Sequence, residues 1–175
     1  MRTLPQIARK LRQTDGAEIA EAALVLPLVF MLLLGIVWFG RAFNIYSTIQ
    51  QAAQQGAITA ARSNCATCGN TGAAPATVAN VVTSVMQASS LDPSQIITSS
   101  PSPVFCVTPP GACTASSNVT ICSNVLLNPS AFQNQPAQCG TLVSFQYPFQ
   151  FYLPFTSLNL QQIVMTAQAQ SRMEN

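Results

Sequence analysis

The residues best suited to chemistry are six cysteines, at 65, 68, 106, 113, 122 and 139, and one carboxylate, Glu21, at the mouth of a long apolar run. Cys65-Ala-Thr-Cys68 has the spacing of a thiol–disulfide redox pair. A thioredoxin-type pair follows a strand and opens a helix, whereas this one follows a helical pattern and leads into Gly69-Asn-Thr-Gly72. Zinc binding has little to draw on, because the chain holds no histidine and no second CxxC. The cysteines read as disulfides: their number is even and all lie beyond the apolar run, in chain that an export signal would carry to an oxidising compartment. Cys65 with Cys68 is the nearest local pairing, and Cys106 with Cys122 could link neighbouring strands; the sequence does not choose among the alternatives. General acid–base catalysis is poorly provided for, since the side-chain acids past Arg41 are Asp92 and Glu174 and the same stretch has no Lys or His. The expectation is no enzyme and no cofactor. Asn118-Val-Thr120 matches a glycosylation sequon.

The element that must position Glu21 is the stretch Gly16 to Arg41, GAEIAEAALVLPLVFMLLLGIVWFGR. Residues 22–40 carry no charge, and as a helix they rise about 28 Å, close to the roughly 30 Å apolar thickness of a bilayer. The stretch reads as a membrane span. Arg2, Arg9, Lys10 and Arg12 precede it, which predicts a cytoplasmic N-terminus and an exported remainder. Asp15, Glu18 and Glu21 stand where a secretory leader would be basic, and no A-x-A-like cleavage site follows, so this is not an ordinary signal peptide. A carboxylate one turn into an apolar helix is costly in hydrocarbon and must reach the interface or find a cation. If the chain were cut after Gly16, Ala17 would supply a new α-amino group and Glu21 would become the fifth residue.

Past Arg41 the helical spacing continues through Ala42, Ile45, Ile49, Ala52, Gly56 and Ala60, predicting one helix from about Glu18 to Arg62 despite Pro27. Ala52, Ala53, Gly56, Ala57, Ala60 and Ala61 are small enough to let another backbone approach closely, and part of this face is expected to cover the chain's own sheet. Pro75 opens a second helical pattern with the stripe Val78, Val81, Val82 and Val85, ending near Ser89. Ile96–Thr98, Val104–Thr108 and Val119–Leu127 are short β-branched runs between Ser, Thr, Asn and Pro. Val143, Phe145, Tyr147, Phe149 and Phe151 alternate with Ser144, Gln146, Pro148 and Gln150, which places the large groups on one face of a strand. Pro148 argues for an edge or a strand end. After the turn-like Leu153-Pro154-Phe155-Thr156, a second alternating run around Ile163–Ala169 predicts the antiparallel partner. The fold class is α+β: a long N-terminal transmembrane helix extending into a small antiparallel-sheet exported domain.

The segment from Gly16 to Arg62 resembles the N-terminal signature of TadE-like proteins, minor pilins or pseudopilins of the tight-adherence branch of type IV pilus machinery. The ending around Tyr147-Pro148-Phe149 and the strand closing near Arg172-Met173-Glu174 is similar to the C-terminal part of the same family. The resemblance implies that a prepilin peptidase cuts between Gly16 and Ala17 and that Glu21 is the glutamate at position five; the new amine of one subunit against Glu21 of its neighbour would then fix the axial register. The family usually has an aromatic residue just after that glutamate, where this chain has Ala22. Implied partners are other pilin or pseudopilin subunits, a prepilin peptidase, an inner-membrane assembly platform and membrane lipid, with adhesion or secretion as output.

The resulting organisation is a cytoplasmic leader at 1–16, a transmembrane and extended helix at 17–62, and an exported disulfide-bearing α+β domain at 63–175. With 7% charged residues and a formal net charge of +2, the chain offers no basic surface for nucleic acid. An uncleaved, single-pass membrane-anchored binding module is the competing reading, and a CxxC thiol oxidoreductase a more distant one.

Overall fold

A computed structural model of the chain describes residues 15–62, 72–107, 109–128, 136–150 and 162–173. The expected leader up to residue 14, Cys65, Cys68, Phe151 and the turn-like segment at 153–156 lie outside these residues. Two compact units are present, Met1–Arg41 and Ala42–Asn175.

Helix α1, Asp15–Ala61, is continuous through Pro27. At 47 residues it rises about 70 Å. Proline is tolerated inside such a segment because neighbouring helices can re-satisfy the freed carbonyl. Within the unit Met1–Arg41, its residues 22–40 are apolar on every side and make no core.

The second unit holds the last turns of α1, helix α2 (Pro75–Ala88), a 3-10 turn (Pro93–Gln95) and a sheet of β1 (Ala112–Ser116), β2 (Val119–Leu126), β3 (Cys139–Phe149) and β4 (Ile163–Arg172). The strands lie in the order β1-β2-β3-β4, every pair antiparallel. This is the expected α+β arrangement, a long apolar helix and a small antiparallel sheet. β3 and β4 form the predicted pair, in register without a shift from Phe149↔Ile163 to Gly140↔Arg172.

One face of the sheet receives both helices. Ile49, Ala52, Ala53, Ala57 and Ala60 of α1 and Val78, Val82 and Met86 of α2 pack with Val119, Ile121, Val143, Phe145, Tyr147 and Ala167. The small residues of α1 therefore cover their own sheet, and Ala61 too is buried. Gly56 shows how close the packing is: an added Cβ would lie 2.8 Å from Val82 Cγ2 and 3.3 Å from Val143 Cγ1. Thr141 adds a polar clamp, its Oγ1 donating to the Ala57 carbonyl at 3.2 Å.

The other face is also covered. Leu142, Ser144 and Pro148 of β3 are buried, although simple alternation would leave that face to solvent. A strap, residues 96–107, crosses it. At one end Ile97 bridges Gln146, and at the other Phe105 bridges Val125. Between them Ser99 Oγ donates to Ser144 Oγ at 2.7 Å, and Thr120 Oγ1 donates to the Ser99 carbonyl at 2.7 Å. These buried hydroxyls satisfy one another, which is what permits polar side chains inside. β3 is thus a central strand, and Pro148 is accommodated near its end, beyond the Ile97 bridge.

The five-residue β1 is an element that propensity does not reveal. Ala112-Cys-Thr-Ala-Ser116 lacks large β-formers. It exists because Ser117 and Asn118 take φ of 47° and 63°, the two-residue hairpin geometry that folds it onto β2.

Gly56→Leu is expected to destabilise the Ala42–Asn175 unit by about 2 kcal/mol or more through overpacking. Urea unfolding of the detergent-solubilised chain, followed by near-ultraviolet circular dichroism, measures the shift.

Candidate functional site

The surface with the greatest functional weight is the first half of α1. From residue 22 to residue 40 the helix carries no charged side chain and is filled mostly by leucine, valine, phenylalanine and similar residues, so no face is polar enough to turn to water. Leu24, Leu28, Met31, Ile36 and Phe39 are all more than 60% exposed, and none of the most apolar window of the helix, mean hydropathy 2.7, is buried by the chain itself. Such a helix is stable only in lipid or against other apolar helices. Glu21 is exposed near the start of this surface, and Gly16 and Ala17 fall in the opening turns of the same helix. At its far end the Arg41 guanidinium lies 5.9 Å from the Trp38 ring centroid, a cation–π contact of the kind found where a helix leaves hydrocarbon.

In the second unit the four described cysteines form two disulfides. Cys106 is joined to Cys139, with Cα atoms 6.2 Å apart, and Cys113 to Cys122, with Cα atoms 3.9 Å apart. Cys106 therefore does not pair with Cys122. The reason is register: Cys122 stands directly opposite Cys113 in the β1–β2 hairpin, a strand pair that the sequence reading does not contain. A bulge between Cys122 and Val125 then turns β2 toward the strap, with Cys106 N–H donating to the Asn124 carbonyl at 2.8 Å and Leu126 N–H to the Val104 carbonyl at 2.8 Å. That places Cys106 beside the start of β3, where Cys139 is. A Ser-Asn turn between two short runs was the available signal for the hairpin.

The Asn118 sequon is engaged in the fold. Asn118 Nδ2 donates to the Ile96 carbonyl at 2.9 Å, its Oδ1 accepts from Thr98 Oγ1 at 3.3 Å, and Thr120 is buried. The amide holds the hairpin to the strap.

Titratable chemistry is sparse. Asp92 caps the 3-10 turn, and hydrogen bonds from Ser94, first its side chain and then its backbone, hold the Asp92 carboxyl below its usual range. Burial pushes the Tyr147 phenol up, partly offset by a hydrogen bond with the Asp92 backbone. Among the described residues no three His, Cys, Asp or Glu come together in a metal-binding group. A groove of about 450 Å³ runs beside the strap, with Pro101, Pro103, Leu127, Gln168 and Gln170 among its lining residues, and no acid or base lines it.

Fold and surface together define a class: a protein with one uncovered apolar N-terminal helix, of the kind that anchors a chain in a membrane, continuing into a small α+β unit stitched by disulfides. Residues 16–57 match the family model described as TadE-like protein. TadE-like proteins are a structural family of the tight-adherence pilus, and the match implies a protein associated with that pilus and its other components. Neither a curated protein nor a solved structure matches the chain.

Proteolysis without reduction, followed by mass spectrometry, should recover Cys106 linked to Cys139 and Cys113 linked to Cys122. Replacing both Cys106 and Cys139 by serine is expected to cost about 2–4 kcal/mol of stability in urea unfolding, since the bridge closes a long loop.

Proposed function

We propose that the chain is a structural subunit, a minor pilin or pseudopilin, of a tight-adherence pilus. The basic leader keeps the N-terminus in the cytoplasm while the remainder is exported across the inner membrane. A prepilin peptidase cuts between Gly16 and Ala17 and leaves the apolar helix on the mature protein. The subunit waits in lipid and is then moved by the inner-membrane assembly platform into contact with other pilin subunits, where apolar packing supplies adhesion. The α-amino group of one Ala17 sits against Glu21 of a neighbour. That pair fixes axial register, because any other stagger leaves a charge unpaired among apolar side chains. The output is adhesion or secretion through the assembled pilus.

The observation that carries this reading is that the TadE-like stretch, residues 16–57, contains the helical surface that the described residues leave bare, from Ile19 to Phe43. Lipid alone would satisfy that surface in an uncleaved, membrane-anchored binding module. What favours assembly is Glu21, a charge near the start of an apolar helix that an anchor does not require.

A photo-crosslinking residue placed at Leu32, in cells carrying the whole pilus machinery, is expected to capture other pilin subunits. Glu21→Gln should lower that yield by about tenfold, the effect of losing roughly 1.4 kcal/mol from a charge-assisted pair. Capture of lipid alone, or an unchanged yield in the Glu21→Gln protein, contradicts the proposal.

A further inference from the structure

The two outer strands of the sheet differ in a way that bears on assembly. β1 is five residues long and β4 is ten. β4 has no bulge along its pairing with β3 and no proline, and Ile163 to Ser171 contains no charge; Arg172 ends it. Bulges, prolines and lysines are the usual means of stopping an exposed edge from pairing with another chain, and β4 has none of these.

The hydrogen bonds identify which backbone groups face outward. Gln146 spends both its N–H and its C=O on Ile97, each at 2.9 Å. Its partner across the ladder is Thr166, so that pair exchanges no main-chain bonds and the Thr166 groups point away from β3. Consistent with this, the Thr166 carbonyl accepts a bond from Gln50 Nε2 of α1 at 3.3 Å. By alternation, Val164, Gln168, Gln170 and Arg172 also direct their N–H and C=O outward. An outward row of alternating donors and acceptors is matched by an extended polypeptide strand.

We infer that the outer edge of β4 takes the β1 edge of a second copy of this chain. Strand polarity supports that occupant. In an all-antiparallel sheet of four strands, β4 and β1 run in opposite directions. A second copy in the same orientation therefore presents its β1 antiparallel to β4, and both α1 helices point the same way, as two chains inserted alike in one membrane must. Pairing β4 with its own symmetry mate needs a two-fold axis perpendicular to the sheet, which would reverse the α1 segment that lies on it. The arrangement is head to tail and can extend beyond two copies. Both contacting strands are uncharged from Ala112 to Ser116 and from Ile163 to Ser171, so no like charges meet. Nothing in this inference needs leader cleavage or Glu21.

The test uses the full-length chain in its native membranes, expressed as two differently tagged copies. A photo-crosslinking residue at Gln168 is expected to join the two tags, with the cross-link mapping to the peptide that contains Ala112–Ser116. In the second variant, the crosslinker is moved to Gln170 and Gln168 is changed to proline. Gln168→Pro removes an outward N–H while sparing the ladder to β3, a position where an edge strand tolerates proline. It should retain the Cys106–Cys139 and Cys113–Cys122 bridges and lower the cross-linked product about tenfold relative to the Gln170 crosslinker alone. Cross-links confined to β4 of the second copy, no cross-link between tags, or undiminished product with Gln168→Pro would overturn the inference. Loss of the bridges in Gln168→Pro would also overturn it, since it would show that the residue 168 N–H belongs to the internal ladder.

Discussion

A helix whose first half none of the described residues covers is the constraint on which the rest depends. Along α1 the same secondary structure meets two solvents. From Ile19 to Phe43 its large apolar side chains stand exposed, whereas from Ile49 to Ala61 its small residues are buried against a sheet. At about 25 cal/mol per Å² of apolar surface, water cannot be the medium of the first half. Lipid or other helices must supply it, and the TadE-like match, residues 16–57, includes this stretch and runs on into the buried one. The change from large to small residues along one helix thus separates what needs lipid or other helices around it from what packs against the chain's own sheet.

That unit is held by means suited to a chain poor in charge. Surface ion pairs contribute little in any protein, and Arg62, Asp92 and Arg172 are the charged residues described beyond Arg41. Its stability rests on a two-sided burial of β3, on hydroxyls and amides that satisfy one another beneath the strap, and on the bridges from Cys106 and Cys113. The strap is needed because a β3 with Leu142 on one face and Phe145 on the other cannot turn either to water. Low charge has a second consequence: from Ala112 to Ser116 and from Ile163 to Ser171 the outer strands carry no electrostatic guard.

Much of this was legible in the residues. The helix through Pro27, the second helix from Pro75 and the β3–β4 pair follow from spacing, because large apolar side chains recur with the period of each element. The strap's role was not legible. Residues 96–107 make isolated bridges rather than a ladder, and what they cover is set by contacts distant in sequence. β1 was missed because Ala, Cys and Ser carry little strand preference and Thr114 alone makes no run, and the pairing of Cys122 was missed with it. Register, which no single-chain periodicity reveals, decided that disulfide. For the apolar helix the sequence speaks more directly, since its bare surface is a matter of composition and not of a constellation that folding must assemble.

The most direct test of the central claim is the intact mass of the protein recovered from an assembled pilus fraction, measured without reduction. The account predicts a chain that starts at Ala17 and keeps the whole apolar helix. An assembled chain that still begins at Met1 would contradict it, because no amine would then stand beside Glu21 to set how one subunit meets the next.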